Sequence, residues 1–480
     1  MFFLITASLI VWRATLCPQQ ARAQAQGPDE NAGQYQAGSQ TTNPGGRPAQ
    51  QDNGPSLSSV RAYSPGSIGE GRSFLLPAIQ LSSYLDTNPY GASSGTGTDF
   101  LYRGSVSGSL ALQWIKRKSQ FNLSYAGGEM VSSRPLTAYY GSDLGKYEDF
   151  HSMTIDEQIN GKRWKADLMD QFSYLPESSF GFPGFNGLAG IGQGFGTGFS
   201  ANGNLLNPAL VPNQSILTGN SRRLSNVSAV EVDYSMTPRS SISVSGAYGL
   251  LHYVSSGFID TSYYVTSIGY DHSLTRRDNL GLYYSYSDIS FSGLNEDIAG
   301  HSVQIAYGRR ITGKLSLKLS AGPLVDVINQ PAGGSVTSVF FTTYDSLQYL
   351  LHGGDLHLDY IRYTSPGSGV FFGAETNQVS AGLDHQLGRR FTGSIDFGYA
   401  QNRALSGSGG VIPGSRFNTW QGGASLSRLL GRTMTLFVSY QFQRETANAP
   451  VCLGAQCEGA FLRHIASIGF SWKGRAIALR

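Results

Sequence analysis

The chain is poor in charge. Asp, Glu, Lys and Arg make up 14% of its 480 residues and balance to a formal +3. No basic cluster is interleaved with aromatics, so the footprint that nucleic acid requires is missing. Lys and Glu are sparse and long helix-forming runs are absent. The longest apolar stretch, Phe2 to Trp12, is too short for a transmembrane helix. Cysteine is scarce at three residues. With no His or third Cys beside the last two, a cysteine-based metal centre is excluded. Catalytic spacing is missing as well. In Asp271-His272 and Asp384-His385, adjacent strand residues point to opposite faces and cannot form a relay. The Gly-rich run Phe180 to Gly203 does not fit a dinucleotide loop, which needs G-x-G-x-x-G between a strand and a helix. No enzyme, cofactor or metal is expected.

What remains is rich in Gly (61 residues), Tyr (26) and Phe (25), a composition of strands and turns. Residues 1–23 read as a signal peptide, with Ala21-Arg22-Ala23 as a small-x-small cleavage site, although no Lys or Arg precedes the apolar core. Leu16 before Cys17 is too large for a lipid-anchor site. Residues 24–71 are a Gln/Gly/Pro/Ser-rich tail with too few apolar residues to order itself, expected in the periplasm. Residues 74–480 are uniform in texture and read as one domain.

That domain alternates with period two. Val230, Val232, Tyr234 and Met236 share one face, and Ala229, Glu231, Asp233 and Ser235 the other. Ile242 and Val244 alternate with Ser243 and Ser245; Leu280, Leu282, Tyr284 and Tyr286 with Gly281, Tyr283, Ser285 and Ser287. Met434, Leu436, Val438, Tyr440 and Phe442 alternate with Thr435, Phe437, Ser439 and Gln441. Many stretches extend to about 9–11 residues, the length of a tilted membrane-crossing strand. The second face is mostly small and polar, which suits a wet lumen, and averaging the two faces explains the mean hydropathy of -0.18.

Short turns and longer loops alternate along the chain. Short turns fall near Lys116–Ser119, Asn160–Lys162, Thr237–Ser240, Thr275–Asn279, Arg310–Gly313, His352–Gly354, Gly388–Thr392 and Leu430–Arg432. Longer loops include Glu129–Lys146, Pro176–Arg222, Leu405–Gly414 and Glu445–Gly459. The expectation is all-β: a transmembrane antiparallel up-and-down β-barrel of about 18 strands (16 or 20 if one hairpin is miscounted), with short turns in the periplasm. Trp114, Trp164 and Trp472 all fall at the short-turn side, as an interfacial girdle would.

The units Tyr234-Ser-Met-Thr-Pro-Arg-Ser-Ser-Ile-Ser-Val-Ser and Tyr270-Asp-His-Ser-Leu-Thr-Arg-Arg-Asp-Asn-Leu-Gly-Leu-Tyr-Tyr-Ser-Tyr resemble hairpins of bacterial outer-membrane β-barrel porins, a group that includes exopolysaccharide-associated barrels. Trp164-Lys-Ala-Asp-Leu-Met-Asp-Gln-Phe-Ser-Tyr-Leu-Pro is similar to their early strand-to-loop segment. The resemblance covers most of residues 74–472 and implies fold more than substrate. One departure is the tail: Phe470 and Trp472 are followed by Lys473 to Arg480, where such barrels end on an aromatic.

Two groups of residues carry functional expectations. Glu231, Asp233, Asp271, Asp359, Asp384 and Asp396 share the lumen face near short turns. They form either an acidic collar that favours cations or partners for the turn arginines. Cys452 and Cys457, in an exported turn-rich loop, form a local disulfide or remain free thiols. The Gly-rich run is an external loop or a lumen constriction. The functional expectation is a channel for small hydrophilic solutes in the bacterial outer membrane. The alternatives are a barrel for polysaccharide or polymer export, a structural or adhesive barrel with a plugged lumen, and a secreted soluble β-protein. Expected partners are outer-membrane lipid, the solutes or polysaccharide, the barrel-assembly machinery and a homo-oligomeric copy.

Overall fold

The computed structural model describes residues 73–88, 100–137, 143–175, 222–254, 258–292, 296–329, 334–367, 372–405, 415–453 and 456–479. The signal peptide (1–23), the tail (24–71) and the Gly-rich run (180–203) lie outside the described residues.

Alternating apolar and polar residues fold as extended strands throughout. The first nine are β1 (Phe74–Asp86), β2 (Leu101–Ile115), β3 (Ser119–Thr137), β4 (Asp143–Asn160), β5 (Trp164–Leu175), β6 (Arg223–Thr237), β7 (Ser240–Tyr253), β8 (Thr261–Ser273) and β9 (Asp278–Phe291). The next nine are β10 (Asp297–Arg310), β11 (Leu315–Asn329), β12 (Ser335–Leu351), β13 (Gly354–Gly367), β14 (Phe372–Leu387), β15 (Phe391–Ala404), β16 (Arg416–Leu430), β17 (Met434–Leu453) and β18 (Gln456–Lys473). Each pairs antiparallel with its successor, and β18 returns to β1 from Ala78↔Lys473 to Asp86↔Ile465, which closes an 18-stranded barrel. A two-residue strand, β19 (Ile477–Ala478), pairs with Leu75 and Phe74, so the last strand runs on along β1 beyond Trp472. Among the described residues no helix is long and apolar enough to cross a membrane.

The eight short turns stand where expected, and several use one device. Thr275 Oγ1 accepts from the backbone N–H of Arg277 and of Asp278 (both 3.0 Å) and donates to Asp278 Oδ2 at 2.6 Å. Thr312 Oγ1 accepts from Lys314 and Leu315, and Thr237 Oγ1 from Arg239. A hydroxyl that satisfies the turn's own donors makes a tight reversal self-sufficient. The long side differs from expectation at two places. Glu129–Lys146 and Glu445–Gly459, expected as loops, are mostly paired strand belonging to β3, β4, β17 and β18. The 18 barrel strands run from 12 to 20 residues because the ladder continues past the length needed to cross a bilayer.

The two faces are those the alternation predicts. Val230, Val232, Tyr234 and Met236 are exposed on the outside of β6, as are Leu280, Leu282 and Tyr284 on β9 and Met434, Leu436, Val438 and Tyr440 on β17. Glu231 is buried on the inside. A second aromatic level, not anticipated, stands on the outer face. His151, Tyr264, His301 and His464 each lie nine positions from the short-turn ends of β4 (Asn160), β8 (Ser273), β10 (Arg310) and β18 (Lys473). Each of the three imidazoles meets a Tyr hydroxyl: Tyr125 to His151 and Tyr284 to His301 at 2.9 Å, Tyr440 to His464 at 2.7 Å. Nine positions of tilted strand rise about 20 Å, close to the height of the apolar band of an outer-membrane barrel.

The long-loop half of the wall departs from a simple cylinder. The β12–β13 ladder runs from Leu351↔Gly354 up to Thr343↔Arg362 and stops. Above that point β12 stays paired with β11 as far as Ser335, and β13 with β14 as far as Gly367. The outer face of β13–β15 then packs against the inner face of β10–β11. Thr364 donates to the carboxylate of Asp326 on β11. Gly373, at φ +60°, lies so close beneath Ile298 of β10 that a Cβ would clash. Leu405, just past β15, packs on the apolar cluster that contains Ile298 and Ile328. Accordingly Ala374, Glu375 and Thr376 are buried on both faces of β14, whereas Val336, Val339 and Phe341 of β12 are exposed. The two edges overlap as a double layer.

This overlap corrects one expectation. The inner face is small and polar near the short turns, but on β6–β9 toward the long-loop end it carries Val227, Leu251, Tyr253, Tyr263, Val265, Ile289 and Phe291, all buried. An apolar inner face is stable where a second layer removes it from water.

Candidate functional site: the barrel lumen

Five strands bring the six predicted acidic residues to the inner wall, because register keeps directly opposed residues on one face. Glu231 and Asp233 of β6 stand opposite Asp167 and Lys165 of β5. Lys165 Nζ lies 3.1 Å from Asp167 Oδ2. Asp271 of β8 accepts a hydrogen bond from the Tyr283 hydroxyl of β9. Glu231 is electrostatically coupled to Asp233, Asp167, Lys165 and Asp271. Asp156 of β4, which accepts from Asn122 at 3.0 Å, extends the group.

The other three acids lie further round. Asp359 of β13 and Asp384 of β14 both interact with His357, and Asp396 of β15 with Asp384. Asp396 is 6% exposed, and neither of its carboxylate oxygens has a hydrogen-bond partner among the described residues. Lys318 of β11 joins the two groups, since Asp271, Glu231 and Asp359 all act on its ammonium. The six acids thus fall into two arcs bridged by one lysine.

Sequence reasoning collected the acids and missed the bases and aromatics between them. Lys165, Lys318, His357 and Tyr283 share the lumen parity; the alternation had already put Tyr283 on that face, but without linking it to the acids. Pairing with a turn arginine does occur in the barrel, but at Asp278, 3.6 Å from Arg309. The Asp271-His272 pair divides as predicted: Asp271 turns inward to Tyr283, and His272 meets the Ser240 hydroxyl at 2.9 Å. Among the described residues no group of three or more His, Cys, Asp or Glu is arranged to hold a metal ion.

At the short-turn rim Trp114, Trp164 and Trp472 are exposed on the outer face, and Lys116 Nζ sits 4.7 Å from the Trp114 ring centroid. Cys452 of β17 is registered opposite Cys457 of β18. The two cysteine side chains lie outside the described residues.

A closed 18-stranded antiparallel barrel, apolar outside and charged within, defines the class of fold: a β-barrel of the kind that crosses a membrane with strands. No family model matches the chain, and no curated protein matches it. Among solved structures it is similar to the outer-membrane protein OpdK of Pseudomonas aeruginosa at 11% identity, over 83% of this chain and 99% of that one, with a TM-score of 0.39. OccK9 (OpdG) of the same organism gives 10%, 84% and 98%, and a TM-score of 0.42. A BenF-like porin from Pseudomonas fluorescens gives 7%, 85% and 100%, and a TM-score of 0.42. At such identities the likeness concerns the path of the chain and not the residues lining it.

Proposed function

We propose that the barrel is a passive channel for small hydrophilic solutes, with a preference for cations. The observation that carries this reading is the inner wall near the short turns, where two acidic arcs face the lumen while the outer face is apolar. Carboxylates focused in a low-dielectric bore attract cations and repel anions. Lys318 and Lys165 offset part of the charge, so the preference is graded and not absolute.

The short turns face the periplasm in this reading, with Trp114, Trp164 and Trp472 at the inner interface and the long loops outside. The segment 1–23 acts as a cleaved export signal and 24–71 as a periplasmic tail. Insertion uses the barrel-assembly machinery, and homo-oligomers are an expected form. A cysteine at Arg277 should then stay unlabelled by an impermeant reagent on intact cells, and one at Ser408 should label.

Conductance of the purified full chain in a planar bilayer tests the function. Stepwise openings with a reversal potential displaced toward cations are expected, and Asp233→Asn with Asp271→Asn should move that potential toward zero. Absence of any unit conductance would sink the channel reading.

A further inference from the structure

The second acidic arc contains buried polar groups that its own neighbours leave unpaired. On the inner face of β13–β15, His357, Gly382 and Asp396 stand directly opposite one another in the ladder. Ser380 and Asp384 flank Gly382 on the same face of β14. Gly382 is a gap in this row. A Cβ there would lie 2.6 Å from His357 Nε2 and 3.0 Å from Asp396 Oδ1, so imidazole and carboxylate lean over the glycine from its two sides. Ser380 is 2% exposed, and its hydroxyl, like both oxygens of the buried Asp396, has no hydrogen-bond partner among the described residues. Asp384 meets a further acid, Asp355, directly across the ladder.

Buried polar atoms are normally paired, and a buried carboxylate without a cation is costly. Neighbouring acids have their cations. Lys165 Nζ lies 3.1 Å from Asp167, and Lys318 acts on Asp271, Glu231 and Asp359. His357 acts on Asp359 and Asp384. Among the described residues no such partner acts on Asp396, whose charged neighbour is the like-signed Asp384. The gap over Gly382 therefore presents three acceptors, the Asp396 and Asp384 carboxylates and the Ser380 hydroxyl, and calls for a cation rich in donors. No group of three or more His, Cys, Asp or Glu among the described residues is arranged to hold a metal ion. A guanidinium carries its donors on a planar fork wider than a gap one side chain across. An ammonium is compact and has three rotatable donors, one for each acceptor.

We propose that Asp396, Asp384 and Ser380, above the floor made by Gly382, form a subsite for the primary ammonium group of a small solute, with the His357 ring as its movable cover. The proposal rests on the reading of this wall as lumen and deepens the cation preference into recognition of N–H donors.

The folded full chain in neutral maltoside micelles is titrated with methylammonium and with tetramethylammonium, and binding is read by saturation-transfer NMR of the methyl resonances. Tetramethylammonium has the same charge and no N–H, and should bind about tenfold more weakly or worse. Asp396→Asn, which keeps the shape, should weaken methylammonium by about tenfold, and Ser380→Ala by about threefold. Gly382→Ala keeps every charge but fills the gap, and should also weaken it by about tenfold. Asp149→Asn, on the outer face, should bind as the unaltered chain does. Gel mobility on heating establishes that each variant is folded, and if Gly382→Ala does not fold, Asp396→Asn and Ser380→Ala decide. Tetramethylammonium binding as tightly as methylammonium overturns the proposal, since charge alone would then suffice. Unchanged affinity in Asp396→Asn overturns it too, because Asp396 would then hold a proton and no ligand. Conductance is measured separately. Binding without unit conductance sinks the channel reading and leaves the subsite, whereas conductance without methylammonium binding sinks the subsite alone.

Discussion

The two halves of the same strands are built by different rules. In the short-turn half, every strand pairs with both neighbours, the outer face is aliphatic and the inner face holds charge, as at Val232 beside Glu231 and Asp233. In the long-loop half, β12 and β13 part company and the β13–β15 ends lie inside β10–β11. A ladder in lipid cannot leave its backbone groups open, because no water is available to satisfy them. The first half therefore has no freedom, and alternation alone specifies it. The parting begins at Thr343 and Arg362, where Thr342 Oγ1 donates to the Arg362 carbonyl at 2.7 Å and closes one of the freed acceptors.

The largest expected effect comes from breaking the first rule. Val232→Arg or Leu436→Arg, on the lipid face, should cost about 2–4 kcal/mol if near the midplane. Ser439→Arg, on the inner face of β17, should cost distinctly less, although it removes a 2.6 Å hydrogen bond to Ser467. Denaturant titration of folding into lipid vesicles measures both. Equal penalties would mean that the short-turn half is packed inside, and the contrast between the halves would disappear.

Next in size is the overlap. Thr364→Val leaves the buried Asp326 carboxylate without its hydroxyl donor and should cost about 1–3 kcal/mol. If the double layer narrows the bore, the same substitution should raise unit conductance. Cysteines at 326 and 364, once cross-linked, should hold conductance at the level of the unaltered chain. A conductance indifferent to both changes would mean that the overlap is wall structure and no part of the bore.

A smaller effect is expected from the bridge between the acidic arcs. Lys318→Gln removes the ammonium on which Asp271, Glu231 and Asp359 converge. Cation preference, read from the reversal potential, should increase while conductance changes little. An unchanged reversal potential would show that Lys318 faces away from the permeation path.

These contrasts also explain what was legible in the sequence. Faces were readable wherever one residue type repeated at period two, as in Met434 to Phe442, because a one-residue slip would exchange lipid and lumen side chains. The strand count followed from the turns, whose Thr and Gly residues act locally. The overlap was not readable, since it depends on Thr364 meeting Asp326 across an intervening strand. One local signal was present in Ser365-Pro366-Gly367: proline cannot donate to a ladder and favours strand edges. The lumen bases were missed for a different reason. Charge was gathered by sign, and Lys318 stands as a single charged position between Leu317 and Leu319.

The smallest expected effect lies at the far tip of the regular ladder. Cys452 and Cys457 oppose one another where β17 and β18 resume pairing above an irregularity between Thr446 and Val451. Directly opposed antiparallel residues have Cα atoms about 4.5–5.5 Å apart, within the range a disulfide spans. The loop such a bridge closes is short, so by the chain-entropy argument it contributes only about 2 kcal/mol. Most of that should be invisible in global stability, because the strands below the irregularity are held by their own ladder. Alkylation without reductant, followed by intact mass, should find neither cysteine modified in the exported protein. Reduction should then expose both and leave the vesicle-folding midpoint nearly unchanged. Two alkylated thiols before reduction would remove the bridge, and a large fall in the midpoint after it would mean that this tip anchors the barrel.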